Sequence, residues 1–454
     1  MLLGRSAELT QLNQYYSRQG SQIVVVYGQK NIGKASLLRE FTKDKPVSFY
    51  AARSCSPKEQ FYQWSREIAE AGDKEVQIGS YGDILRTLTE DKEAKSVIVI
   101  REFQYLVKLQ SDFMEALVSF VREASEERQA LIILSSSSVG WVENGMIRRM
   151  GAAAHSLSGL LKIKELKFRD CREFFPGYDT KQCAQVYAVL GGVPGLWACF
   201  KKEDTVKDNI IGTILSPTGV LSCEADRLFA EELRETAVYN TILASIAGGM
   251  YKLNDLYRHT GFSRAKISVY LKNLMELEIV EKVFSYDTAG SVNAQKGIYR
   301  IRNHFIHFYF RFLYPNLSRL HSMGSEDFYA AFVAPGFTRY AGEYFRTICT
   351  EFMEEQNRRG RLPFVYERSG EWVGKTGNID MILQDREGRT MIGLCCSDRV
   401  YVSHEDYERL MLCARKAKVE ASYVYLFSRD SFDEKLHLEA RVRDYLRLIS
   451  MRDM

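Results

Sequence analysis

A run of β-branched residues that opens straight into a glycine-bounded turn, and then into a helix, constrains this chain more than any other feature. Residues 21–27 read Ser-Gln-Ile-Val-Val-Val-Tyr, apolar without alternation, which predicts a strand buried on both faces of a parallel sheet. Gly28-Gln29-Lys30-Asn31-Ile32-Gly33-Lys34 follows, and Ala35-Ser36-Leu37-Leu38-Arg39-Glu40-Phe41 then has helical character. Glycines bounding such a turn let backbone N–H groups converge on one anion. The helix N-terminus adds partial positive charge, and the lysine reaches terminal phosphates. The setting predicts a phosphate loop formed by Gly28, Gln29, Lys30, Asn31, Ile32, Gly33, Lys34, Ala35 and Ser36, with ATP or ADP as its ligand.

The rest of the first third agrees with that setting. Apolar strands are predicted at Val47–Ala51, Ser96–Ile100 and Ala130–Leu134, separated by stretches long enough for helices, so the fold class is α/β with a doubly wound parallel sheet. From Phe168 to about Arg234 the pattern is mostly helical, broken at Phe174-Phe175-Pro176-Gly177-Tyr178 and at Gly191-Gly192-Val193-Pro194-Gly195. Residues 237–303 hold three helical stretches, then two strand-like ones (residues 281–286 and 296–303) around the turn-rich segment 287–295. Three helices and a two-stranded wing make a winged helix, with Ser263 as N-cap of the third helix. An aromatic-rich connector follows. The last portion, from about Phe337, alternates helix and strand as a second, smaller α/β domain.

At 454 residues the chain exceeds one hydrophobic core, which points to three or four units. Its 62 basic and 58 acidic residues leave a net charge of +4, so any nucleic-acid contact needs a local patch. Nine cysteines without a C-x-x-C pair read as free thiols of a reducing compartment. Nowhere do about 18 uncharged apolar residues run together. No membrane span is expected, and the chain is placed in the cytoplasm.

Two positions depart from what hydrolysis needs. The residue after Lys34 should carry a hydroxyl for Mg²⁺, but it is Ala35; Ser36 comes about 100° further round the helix. The strand at residues 96–100 should end in an aspartate, but Arg101 stands there, with Glu102 behind it. Magnesium has thus lost its anchors. Glu102 is the candidate catalytic group, as orienter of a water molecule, against the alternative of a surface carboxylate paired with Arg101. Ser135–Ser138 occupy the place of a γ-phosphate sensor, against the alternative of a plain serine-rich turn. Lys34 and Arg101 would then supply the charge that magnesium otherwise brings, since a guanidinium fork matches phosphate oxygens.

The stretches LLGRSAELTQL, YGQKNIGKASLLREF, VIVIREFQYL, LKFRDCREFFPGY and YAVLGGVPGLW, with GIYRIRNHFIHFYFRFLYPN and VYLFSRDSF later, resemble the archaeal-type AAA-like ATPases of archaea and many anaerobic bacteria. The resemblance implies a P-loop core at 1–165, a helical lid at 166–235, a winged helix at 236–305, a connector at 306–336 and a PD-(D/E)xK nuclease-like domain at 337–454. It also implies that Gly4 and Arg5 lie near the nucleotide base. Such nucleases hold metal with a carboxylate on one strand and an acid-x-lysine on the next. Asp380 fits the first strand, with Glu343 as a possible helper, but Leu394 and Cys396 stand where the acid and the lysine belong. The nuclease site is degenerate.

On the winged helix, Arg264, Lys266, Ser268 and Lys272 lie on the third helix, the one that would enter a major groove of double-stranded DNA. Lys296, Arg300 and Arg302 would touch the DNA backbone from the wing. The expectation is an ATP-binding regulatory or DNA-associated protein with impaired hydrolysis, with a protein partner or self-association left open. The alternatives are an active ATPase that draws metal ligands from Ser36 and Glu102, and a scaffold that binds no nucleotide.

Overall fold

The computed structural model describes residues 2–71, 78–90, 94–107, 111–123, 129–286, 297–374, 377–396, 399 and 401–454. It divides into two compact units, Met1–Glu165 with Val193–Gly195, and Leu166–Gly192 with Leu196–Met454.

The first unit opens with α1 (Ser6–Ser17), β1 (Gln22–Tyr27) and α2 (Lys34–Thr42). Then come β2 (Val47–Ala51), β3 (Ser96–Arg101), β4 (Ala130–Ser136) and β5 (Gly159–Lys162). The sheet order is β2-β3-β4-β1-β5, and every neighbouring pair is parallel. Val24, Val25 and Val26 are fully buried, as are Val97, Val99 and Ile100 and the whole of Leu131–Leu134. This two-sided burial is why these strands read as unbroken apolar runs. β5 escapes sequence reading because its Gly-Leu-Leu-Lys is short and only one residue is buried, so neither length nor periodicity marks it.

The second unit begins with α3 (Phe168–Phe174) and α4 (Thr180–Leu190). The winged-helix segment supplies α5 (Thr236–Ala247), α6 (Leu253–Thr260) and α7 (Arg264–Glu276). Ser263 caps α7 as expected, its Oγ accepting the Lys266 amide at 3.2 Å. The wing is β6 (Val280–Val283) paired antiparallel with β7 (Ile298–Ile301). After α8 (His304–Phe308) and α9 (Phe345–Arg358) come β8 (Arg368–Val373), β9 (Asn378–Gln384) and β10 (Thr390–Cys395). The two-residue β11 (Tyr401–Val402) and β13 (Ser431–Phe432) pair with each other, while β12 (Tyr423–Ser428) and β14 (Leu446–Ser450) complete a sheet of order β14-β12-β10-β9-β8. In that sheet β10, β12 and β14 run parallel, and β8 and β9 join antiparallel. All nine cysteines are free. Among the described residues no helix is long and apolar enough to cross a membrane.

The expected strand at residues 281–286 is split. Its first part pairs with β7, whereas Ser285 and Tyr286 turn to the edge strand β8: Ser285 bridges Glu371, and the Tyr286 amide donates to the Glu371 carbonyl at 2.7 Å. The Tyr286 hydroxyl reaches Gln384 Oε1 at 2.7 Å. A side chain at Gly370 would put its Cβ 2.7 Å from the Tyr286 ring, so only glycine admits the tyrosine there. Beneath this seam Glu371, 8% exposed, pairs with Arg300 of β7 at 2.8 Å and with Arg346 of α9. One carboxylate therefore holds two half-buried guanidiniums.

Removing the shared acid leaves both cations without it. Glu371→Ala is expected to destabilise this unit by about 3 kcal/mol, the lower end for a broken buried pair, because Arg300 and Arg346 keep 29% and 28% of their side chains in solvent. Denaturant unfolding measures this, and an unchanged midpoint would count against the cluster as a structural support.

Candidate functional site

Register fixes where the site lies. Tyr27 stands opposite Ser136 and Arg101 opposite Ser135, so Gly28, Arg101–Glu102 and Ser135–Ser138 emerge at the same carboxyl edge of the sheet. Two strand spacings, about 10 Å, separate β1 from β3. The edge of a parallel sheet outside its strand ends is where α/β folds bind ligands.

The loop itself is curled. Asn31 has φ 63° and Gly33 φ 97°; the second is the left-handed N-cap of α2, whose carbonyl accepts the Leu37 amide at 3.0 Å. The loop's carbonyls are held from several sides. Arg5, 3% exposed, donates from Nη2 to the Ile32 carbonyl at 2.8 Å while pairing with Glu8 at 3.0 Å. The Gly195 amide donates to the Asn31 carbonyl at 3.0 Å. Lys34 Nζ donates to the carbonyls of Gly28 at 2.7 Å and Gln29 at 2.8 Å. In a planar trans peptide the N–H points opposite to the C=O, so the amides of Ile32 and Gly33 face away from Gly195 and Arg5. Arg5 therefore holds the loop's backbone, a role distinct from the contact with a base that the resemblance implies.

The electrostatics favour an anion. Burial pulls the Lys34 ammonium down to about 8, opposed by Glu102 and reinforced by Arg101 and Lys30. Arg101 is exposed; its carbonyl accepts the Ala52 amide at 2.9 Å, while among the described residues its guanidinium makes no ion pair or hydrogen bond. Glu102 does not pair with it. Instead Glu102 Oε2 accepts the Ser137 amide at 3.1 Å, the Ser137 hydroxyl at 2.7 Å and Gln104 Nε2 at 2.8 Å. Ser136 donates to Gln104 Oε1 at 2.8 Å. The buried Gln104 thus ties the end of β3 to the end of β4. Sequence reasoning did not single out Gln104, and nothing in its neighbours marks it. For Gly195 the Gly-Pro break was a signal, read only as a chain breaker.

The donor set suits phosphate and does not suit magnesium. Ala35 offers no oxygen, Ser36 is exposed on the next position of α2, and a cation fills the aspartate's place. No group of three His, Cys, Asp or Glu that could hold a metal occurs among the described residues.

On the winged helix, Arg264, Lys266, Ser268 and Lys272 are all exposed. Arg264 stacks over Tyr257 at 4.0 Å and donates to Asn254 Oδ1 at 2.5 Å; Lys266 lies over Phe262 at 4.9 Å. Lys272 faces Glu276 at 3.8 Å. Arg264, Ser268 and Lys272 follow one another at helical spacing along one face of α7. The wing differs from expectation. Arg300 is committed to Glu371, Arg302 pairs with Glu278 at 3.4 Å, and Lys296 lies outside the described residues. In the C-terminal sheet Asp380 Oδ2 accepts the Cys395 amide at 2.8 Å, and Glu343 is exposed and makes no bond to it.

The fold is that of a P-loop nucleoside triphosphatase, carrying a winged-helix-like region and a C-terminal sheet domain. Residues 2–198 match the model of an ATPase domain found predominantly in Archaea. Residues 240–282 match that of bacterial regulatory proteins of the arsR family, and residues 309–397 that of archaeal and bacterial proteins of unknown function. An uncharacterized protein of Methanocaldococcus jannaschii is 27% identical over 398 residues, 86% of each chain. Among solved structures, the Walker-type ATPase of Pyrococcus abyssi is similar with TM-score 0.49 and 16% identity, over 68% of this chain and 96% of that one. The ORC2 protein of Aeropyrum pernix follows with TM-score 0.45 and 15% identity, over 71% and 94%.

A Cβ at Gly195 would sit 2.7 Å from the Asn31 carbonyl oxygen, backbone that cannot swing aside. Gly195→Ala is expected to weaken ADP binding on the order of 10-fold, from roughly 1–3 kcal/mol of overpacking passed to the loop. Calorimetric titration of the variant at wild-type affinity would show that this contact does not shape the loop.

Proposed function

We propose that this chain is a nucleotide-binding regulatory protein of the P-loop class. It takes ATP or ADP on residues 28–36, uses Lys34 and Arg101 where a P-loop ordinarily holds magnesium, and hydrolyses the nucleotide weakly or not at all. The observation that carries the reading is Arg101, an exposed guanidinium with no partner among the described residues, at the strand end where the metal's aspartate belongs. Its field and that of Lys30 already bear on Lys34. Glu102 supports weak hydrolysis: Ser137 and Gln104 hold one of its oxygens, and among the described residues no group of metal-ligating side chains stands beside it to position an attacking water.

DNA association is the companion proposal. It rests on the exposed basic face of α7 and on the regulatory-protein match over residues 240–282. The C-terminal domain is read as a nuclease-like fold without its chemistry, since Asp380 is the one acid of the expected set and it is bonded to backbone.

Thermal-shift titrations with ATP and ADP, each with magnesium or with EDTA, test the nucleotide reading. Equal stabilisation in both conditions is expected, lost in Lys34→Ala and reduced in Arg101→Ala. Strict magnesium dependence would overturn the proposal in favour of an active ATPase, and no stabilisation at all in favour of a scaffold.

For the DNA reading, replacing Arg264, Lys266 and Lys272 together by alanine should weaken duplex binding and flatten its salt dependence by up to about 3 in slope. An unaltered slope would move the contact elsewhere.

A further inference from the structure

Val269 of α7 gains nothing from the fold that holds it. The buried side chains of this helix are Ile267, Leu271 and Leu274. Val269 follows Ile267 by two residues, about 200° around the helix, and is 58% exposed. No other large apolar side chain described in the winged-helix segment stands so far in solvent. Ala265, one turn earlier on the same side, is exposed as well. A β-branched residue is a poor helix former where packing does not decide. Neither helix propensity nor core packing gives a reason for valine at this place.

Its neighbours decide what kind of surface could cover it. Lys266 and Lys272 stand three residues before and after Val269, next to it on the helix surface. The exposed residues of α7 are Arg264, Ala265, Lys266, Ser268, Val269 and Lys272, with no acid among them. Glu276, at the last position of α7, is half-buried and meets Lys272 at 3.8 Å, an open pair that contributes little. Arg264 and Lys266 lie over the rings of Tyr257 and Phe262, not over carboxylates. A protein partner is held by aromatic or long anchors in a centre depleted of charge, and two small side chains between lysines do not supply one. A DNA duplex fits better. Phosphates line the major groove, and the one apolar group that its base edges present is the C5 methyl of thymine.

We propose that Val269 is a base-reading residue, which selects thymine through its methyl group while Lys266 and Lys272 meet the flanking phosphates. This role rests on the reading of α7 as a DNA-binding helix, and it adds what that reading lacks. Phosphate contacts position a protein on the duplex and carry no sequence information; contacts to base edges do. The ligand is therefore double-stranded DNA with thymine at a fixed position of the site. Double-stranded RNA does not serve, because its major groove is too deep and narrow for side chains to read, and uracil lacks the methyl.

The test uses the full chain and the duplex DNA that it recovers from a randomised pool. Each thymine of that duplex is then replaced singly by deoxyuracil, which removes only the methyl. At one position or more the wild type should lose about 4-fold in affinity, the size of one methyl taken out of apolar contact. Val269→Ser should bind thymine and deoxyuracil alike there, with its salt dependence unchanged, and Val269→Ile should keep the preference. Both substitutions lie on the exposed side of α7 and leave the core untouched. The variant with Arg264, Lys266 and Lys272 replaced by alanine separates this role from the DNA reading beneath it. If that variant loses salt-dependent binding while the wild type tolerates deoxyuracil everywhere, α7 binds DNA and the role of Val269 is overturned. If the wild type recovers no duplex, or the alanine variant binds as tightly as the wild type, both fail together. A thymine preference that survives in Val269→Ser puts the methyl contact elsewhere and also overturns the proposal.

Discussion

The geometry of the candidate site depends on how a seven-residue loop disposes of its own carbonyls. A tight turn with left-handed residues at Asn31 and Gly33 presents peptide oxygens that need donors, and an unpaired one held away from water is costly. Here Arg5, the Gly195 amide and Lys34 supply them. The donors come from three stretches of sequence: the segment before α1, the start of the short helix Pro194–Trp197, and the loop itself. That division of labour explains why the compact unit around β1 skips residues 166–192 to include Val193–Gly195.

A second regularity is arginine at carboxylate-rich positions. Arg101 occupies an acid's place at the end of β3, and Arg300 and Arg346 surround Glu371 close to Asp380. Guanidinium satisfies carboxylate or phosphate oxygens by directed hydrogen bonds and cannot lose its charge at ordinary pH. It therefore gives structure without the capacity to activate water that a bound metal has. The two places differ in outcome. Around Glu371 the arginines are paired and serve the fold. Arg101 is exposed, which is why it carries the proposed role towards phosphate.

The sequence was most legible where burial is two-sided. β1 to β4 were readable because a parallel sheet covered on both faces demands continuous apolar runs, and the phosphate loop because glycine spacing reports backbone geometry directly. The winged helix was legible through the Ser263 cap and helical periodicity. Legibility failed for β5, too short and too partly exposed to carry a pattern, and for β8 and β14, whose mixed burial blurs alternation. It failed differently at Gln104. A polar residue whose value lies in a partner dozens of residues away leaves no local mark. Arg300 was misread for the same reason: as a wing residue it suggests DNA, and only the tertiary position of Glu371 shows where its charge is spent.

A wing contributes to nucleic-acid contact through basic side chains free to meet phosphates. Among the described wing residues, Arg300 and Arg302 are bonded to Glu371 and Glu278, and Ser285 and Tyr286 extend the edge of the C-terminal sheet. Exposed edge strands invite pairing, and here the wing itself provides it. The face of α7 remains outside this arrangement, with Arg264 held upright on Tyr257 rather than folded back onto an acid. Cation–π stacking leaves the guanidinium's outward N–H groups available, so the exposed face of α7 keeps a basic surface that the described wing residues, bonded to acids, do not offer.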